Sequence, residues 1–331
     1  MHPPASRPRR RRGRSRPAVA TALTAAALLA LDAAAGPATA AAPAADRQAP
    51  ATSRPHRTTQ PPTPTTPAPT PTASAPAPAP APTGAAWSGG FAGYGSETWR
   101  RAWGVAGSGS WGGGDLTEAA ETGVRGGAAL RVRYGARSSA PSCTDCADTG
   151  GGQFSTDLRS LGLADLATGR TLDLRYRVRF PAGHDWGKAG KLPGLYGGPI
   201  GEASGGNHGG WSTRFMWRGR NGVPDNGEVY VYTPAGEGYG VDSGLGSWTW
   251  PADDRWHTVE QLVDRTTGDV TVWFDGRQVH SAPGVVAGIG SIPFGGIFFS
   301  TFYGGHEAAW GPASVQYAYF ADFSLSAGVQ H

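Results

Sequence analysis

The chain of 331 residues is short of several things, and each shortage narrows the field. It has 2 cysteines, too few for a disulfide-dense scaffold. The pair, Cys143 and Cys146 in PSCTDCADTG, is followed by no second Cys or His pair at ligand spacing. A small loop-stapling disulfide is therefore expected and a metal site is not. Charged residues make up only 16%. Of the 29 basic residues 10, all arginine, fall in residues 1–84, against 2 of the 25 acidic ones. That leaves 19 basic and 23 acidic residues beyond, a net charge of −4, so the formal +4 belongs to the leader. A basic, nucleic-acid-seeking surface is not expected. No sustained helical period and no repeat of fixed length runs through the chain.

Long apolar runs are also scarce. The one near the N-terminus, AVATALTAAALLAL, follows the basic RPRRRRGRSRP and precedes small residues at Ala38 and Ala40. That order is a secretory signal, and the run is too short and alanine-rich for a spanning helix. Residues 1–40 are read as the signal, with no stable membrane insertion after its cleavage and a secreted product. Residues 41–84 are dominated by proline, threonine and alanine. Lacking large apolar side chains to offset ordering entropy, they are expected to form an extended, disordered linker. Residues 85–331 remain as one globular domain.

What that domain has is period-two alternation. In TLDLRYRVRF (171–180) Leu172, Leu174, Tyr176, Val178 and Phe180 alternate with Asp173, Arg175, Arg177 and Arg179. Such a segment is a half-buried strand, its arginines the solvent face of an outer sheet. Further strands are expected at 130–134, 211–218, 228–233, 256–263, 270–275, 295–303 and 315–325. Asp275-Gly276 suits a type I′ hairpin turn. Many short strands joined by glycine-rich turns predict an all-β fold, a jelly-roll sandwich with a concave substrate groove.

One patch carries unusual chemistry. In GGWSTRFMWRG, alternation puts Ser212, Arg214, Met216 and Arg218 on one face and Trp211, Thr213, Phe215 and Trp217 on the other. In GEVYVYT, Tyr230 and Tyr232 share a face opposite Val229 and Val231. Ahead of both, GKAGKLPGLYGG sets Lys191 beside a Pro-Gly turn, with Lys188 the alternative cation. The E-x-D-x-x-E strand of many jelly-roll glucanases is absent, so glycoside hydrolysis lacks its usual acid and base. Cations with phenols suit β-elimination across a uronic acid instead. Arginine or lysine neutralises the carboxylate so that the C5 proton can leave, and tyrosine serves as base or acid. Which tyrosine plays which part stays open. Gln153 in GGGQF is a candidate donor to the uronate carboxylate, and His208 in GGNHGG a candidate loop residue over the groove. Tyr303 or Phe302 in FFSTFYGGH would stack on sugar, according to which face turns inward.

The segments GKLPGLYGG, GGWSTRFMWR, GEVYVYT, RWHTVEQLV, GDVTVWFDGRQV and GGIFFSTFYGGHEAAWGP, in that order, resemble polysaccharide lyase family 14. The resemblance covers most of residues 95–325. It implies a jelly roll that depolymerises alginate first, or polyglucuronate second, with no organic cofactor. It also implies a catalytic set of Lys191, Ser212, Arg214, Tyr230 and Tyr232. The loop GRNGVPDNG is a few residues longer than in that family, which bears on groove shape. The expected partner is an acidic polysaccharide, acted on by a monomer. The competing reading is a non-catalytic carbohydrate-binding jelly-roll module on a stalk, which would have no need of tyrosines beside the cations.

Overall fold

The structure is a computed structural model that describes residues 84–331 apart from 205–208, 221–222 and 237–238. The segment read as a signal, nearly all of the linker, and His208 lie outside the described residues. In chain order the first strands are β1 (Trp87–Gly89), β2 (Leu116–Ala120), β3 (Ala128–Tyr134), β4 (Gly152–Ser155), β5 (Thr171–Arg179), β6 (Ala189–Gly197) and β7 (Trp211–Arg220). There follow β8 (Val223–Tyr232), β9 (Val241–Trp248), β10 (His257–Asp264), β11 (Asp269–Phe274), β12 (Arg277–Ala282), β13 (Phe294–Tyr303) and β14 (Gln316–Ser326). Two short helices, α1 (Glu97–Ala102) and α2 (Ala164–Thr168), fill the ends.

Two antiparallel sheets pack face to face. One runs β12-β11-β10-β5-β14-β3-β2, with β1 added beside β14; the other runs β4-β13-β6-β7-β8-β9. Neighbours far apart in sequence, such as β13 beside β6, give the crossing connections of a jelly roll. Alternation explains the layer between them. Leu172, Leu174, Tyr176 and Val178 of β5 meet Phe215, Trp217, Val229 and Val231 of the facing sheet in one buried cluster. The hairpin at Asp275-Gly276 has both residues at positive φ, 48° and 74°, as a type I′ turn requires.

Three expectations change. The Pro-Gly turn at residues 193–194 lies inside a central strand, β6, with its register shifted between Leu192 and Gly194. A bulge is the place where a sheet interior tolerates proline, which cannot donate to the ladder. Of the longer segment after Arg218, Gly219 and Arg220 extend β7 and residues 223–227 open β8, with a bulge between Arg218 and Gly219. The outer-face arginines are ion-paired and partly covered: Arg177 with Asp322 at 3.0 Å, and Arg179 with Glu121 at 2.7 Å and Asp254 at 2.8 Å. Arg179 also lies over the Tyr319 ring at 4.3 Å.

On that same face, Asp173 is buried rather than solvated. Gln330 donates its Nε2–H to Asp173 at 2.7 Å and its backbone N–H to Glu260 at 2.6 Å, so the C-terminal tail covers a carboxylate pair. Burial, then the charge of Glu260, holds the Asp173 carboxyl well above the usual carboxylate range.

Two outcomes follow. A raised carboxyl pKa means that the folded chain keeps a proton the unfolded chain releases. The resulting stability is complete below the unfolded value, about 4, and drains away as pH rises toward the folded one. Melting temperature should therefore fall between about pH 5 and about pH 8, and Asp173→Asn should flatten that slope. Equal slopes in a thermal melt series would show that this pair does not set it. Separately, a Cβ on Gly190 would stand 1.9 Å from the Trp217 ring. Gly190→Ala should cost about 1–3 kcal/mol in urea unfolding, through overpacking.

Candidate functional site

The outer face of the six-stranded sheet carries a cleft of 580 Å³, lined among others by Lys191, Arg214, Tyr230, Tyr232, Gln153 and Phe302. Strand register brings these together. Lys191 on β6 lies opposite Met216 on β7, Gly194 opposite Arg214, and Arg214 opposite Tyr230 on β8. Because each of these strands alternates, the intervening residues (Leu192, Phe215, Val229, Val231) fill the core and lock the phase.

Lys191 donates from Nζ to the Tyr232 hydroxyl at 3.1 Å, and the same nitrogen sits 4.3 Å from the centre of the Tyr230 ring. The two phenol rings meet edge to face at 5.3 Å. Burial, then the charges of Arg214 and Arg218, pushes Lys191 well below the usual lysine range. Tyr230, whose hydroxyl accepts from the Gly240 N–H at 3.2 Å, is pushed up to about 12, by burial first and Tyr232 next. At Tyr230 the loss of solvent outweighs the neighbouring cation Arg218, which favours the phenolate.

Arg214 is 2% exposed, yet none of the described carboxylates pairs with it. Its guanidinium donates to Ser300 Oγ and Ser204 Oγ, each at 3.3 Å, and lies over the Phe298 ring at 4.6 Å. Among the described residues its Nε has no partner. Burial pulls its pKa down to about 10. Arg218 differs: Glu228 at 2.7 Å and Asp242 at 2.6 Å consume its charge. Glu228 itself is pushed up to about 7, burial outweighing Arg218.

The other sequence candidates divide. Gln153 lines the cleft, but through the Arg214 network: Ser300 donates to its Oε1 at 2.9 Å, and its Nε2 donates to the Gly109 carbonyl at 2.7 Å. Ser212 lies outside the cleft. Its hydroxyl is fully buried and donates to the Ala203 carbonyl at 2.6 Å, which ties down the loop bearing Ser204. Tyr303 points into the core, buried against Trp217 at 5.2 Å and bonded to His184 at 3.1 Å, so Phe302 is the groove aromatic of that pair. Lys188 stands at the rim, 5.4 Å from the Trp310 ring, and leaves Lys191 as the cleft lysine. Ser300, Ser204 and Phe298 escaped sequence reading, because hydroxyls and rings on strands and loops carry no signal of their own. A signal for Lys191 was present: the chain has 2 lysines among its 29 basic residues.

Cys143 and Cys146 are joined as a disulfide, with Cα atoms 5.7 Å apart. The loop they close bonds to a second cleft wall, Thr144 N–H to the His306 carbonyl at 3.0 Å and Ala308 N–H to Asp145 at 2.7 Å. Among the described residues, Cys143, Asp145 and Cys146 form the one cluster of potential metal-ligating atoms. The disulfide removes both thiolates from it.

The family described as Polysaccharide lyase 14 matches residues 123–323. A PL-14 alginate lyase of Aplysia kurodai is 26% identical, with TM-score 0.55, over 67% of this chain and 90% of that one. The alginate lyase vAL-1 from Chlorella virus is 20% identical, with TM-score 0.51, over 68% and 93%. The alginate lyase Aly36B is 19% identical, with TM-score 0.52, over 75% and 98%. None of the curated proteins matches.

Because the chain has just 2 lysines, a lysine-labelled NMR titration resolves each ammonium. The Lys191 signal should titrate well below the ordinary lysine value of about 10.4, and move back toward it in Arg214→Ala as a like charge is removed. Two superimposed titrations in the ordinary range would contradict the buried-amine assignment.

Proposed function

The chain is a polysaccharide lyase belonging to family 14, and from that premise we propose that it cleaves a uronic-acid polymer by β-elimination, alginate in the first place and polyglucuronate in the second. The observation that carries this reading is a buried Arg214, with no carboxylate partner among the described residues, beside a hydrogen-bonded Lys191–Tyr232 pair.

A guanidinium without a counterion in a low-dielectric floor is costly until an anion arrives. A uronate carboxylate is planar and matches its fork. Once that charge is neutralised, the C5 hydrogen becomes acidic enough to leave, because the enolate-like charge that develops is held by the same cation. In the proposed step the C5–H bond breaks, its electrons form the C4=C5 double bond, and the C4–O4 bond to the next sugar breaks. The proton passes to the Lys191–Tyr232 pair, where a buried amine of lowered basicity can take the phenol's proton as the phenol takes the substrate's. Tyr230, kept protonated at about 12, suits the donor to the departing oxygen. Ser212 supports the loop rather than the chemistry.

Family membership and this pair together favour catalysis over a stalked binding module. Export rests on the basic, apolar and small-residue order of residues 1–40, with residues 41–84 as the spacer and residues 85–331 as the catalytic domain. Among the described residues no helix is long and apolar enough to cross a membrane.

The test is incubation with polymannuronate, polyguluronate, polyglucuronate and a neutral glucan. Elimination creates a conjugated unsaturated end that absorbs in the ultraviolet. Absorbance should grow on a uronate polymer and not on the glucan. Tyr232→Phe should lower kcat by about 10²–10⁴-fold with little change in binding, whereas Arg214→Ala should damage kcat and KM together. Wild-type turnover in both Tyr230→Phe and Tyr232→Phe would end the proton-transfer assignment.

A further inference from the structure

The cleft does not end at its catalytic floor. Its wall at Gln153 is Trp111, a half-exposed indole that lies ahead of the family match at residues 123–323. Trp111 is fixed in place. Its backbone N–H donates to the Gln153 backbone carbonyl at 3.1 Å, the Gln153 backbone N–H donates to its carbonyl at 3.0 Å, and its ring meets Phe302 edge to face at 5.7 Å. It is the ridge between the cleft and two neighbouring depressions.

Charge distinguishes those two. The first, of 310 Å³, is lined by Asp115 and Asp148, whose carboxylates are already bound to Arg133 at 3.0 Å and at close range. It offers a polyanion carboxylates and no spare cation. The second, of 260 Å³, has no carboxylate in its lining, and its one charged residue is Arg100. Arg100 is exposed, and among the described residues no carboxylate pairs with it. It rides on α1, which is rigidly placed: the Trp99 and Trp103 indoles beside it are buried and donate to the Gly90 carbonyl at 3.1 Å and 2.8 Å. The Ser96 hydroxyl caps the helix by accepting from the Trp99 N–H at 3.1 Å.

An aromatic face beside an unpaired cation, continuous with the cleft, matches a sugar acid: C–H face on indole, carboxylate on guanidinium. We propose that Trp111 and Arg100 form an additional subsite, which binds a uronate unit of the polymer outside the catalytic cleft and draws the chain over Trp111 toward α1. This rests on the substrate being a uronate polymer. It adds that the segment ahead of the family match sets how long a substrate the protein prefers.

The test compares the full-length protein with Arg100→Ala, Arg100→Glu and Trp111→Ala on a length series of uronate oligomers and on the polymer. KM on the polymer should rise about twofold to fivefold in Arg100→Ala, further in Arg100→Glu, and about tenfold in Trp111→Ala. The differences should shrink as the oligomer shortens, and those of the arginine variants should fade at high salt. Arg100 is exposed, so its variants remain informative if Trp111→Ala fails to fold. Wild-type KM at every chain length in both arginine variants, with unsaturated ends still formed, would overturn the subsite and leave the lyase reading standing. Absence of unsaturated ends from the wild type on every uronate polymer would take both away.

Discussion

The site depends on one electrostatic constraint: Arg214 is held in the sheet's outer face with almost no water and, among the described residues, no carboxylate partner. Leaving a buried charge uncompensated costs on the order of several kcal/mol, so such a residue is retained only where the surroundings lower that cost or an external anion repays it. Here two hydroxyls, Ser300 and Ser204, and the faces of Phe298 and Tyr232 do the first part. These are neutral groups. They orient the fork without consuming its charge, which stays available to a substrate carboxylate.

The contrast with the other arginines is what gives this meaning. Arg177, Arg179 and Arg218 each have carboxylates at 3.0 Å or closer. Those three are partly covered and ion-paired, whereas Arg214, buried and without a carboxylate partner among the described residues, stands beside the cleft lysine and the two phenols. Like charge then works on Lys191: Arg214 and Arg218 add to burial in lowering its basicity. The arginine thus recruits the anion and conditions the amine next to it. Arg218, with its carboxylates, is a structural brace behind Tyr230, 5.8 Å from that ring.

Support for the constellation comes from the interior. Core residues at alternate positions of β6, β7, β8 and β13 fix which side chains turn outward, since a slip of one residue would exchange the faces. Where both faces carry large apolar residues, that logic gives no answer in one dimension. The run FFSTFY shows it: Phe298 and Phe302 face outward while Phe299 and Tyr303 face the core, and composition does not distinguish the two sets. Proline misleads in the same local way. Pro193 signals a turn, but a bulge absorbs it, and the strand that presents Lys191 passes straight through.

By itself the sequence determined the alternating strands, the sandwich class, the shared face of Arg214 with Met216 and of Tyr230 with Tyr232, and the cysteines close enough in the chain to pair. These follow from backbone geometry with a period of two residues, which acts over short distances. Tertiary structure decided the rest. It set Lys191 against Tyr232 across strands 41 positions apart in the chain, withdrew Ser212 beneath a loop and turned Tyr303 inward. It also buried Asp173 under the C-terminal tail and left Arg214 unpaired among the described residues. Each of those outcomes depends on which surfaces come together and how much water they exclude, a property of the packed sheets that no stretch of chain carries alone.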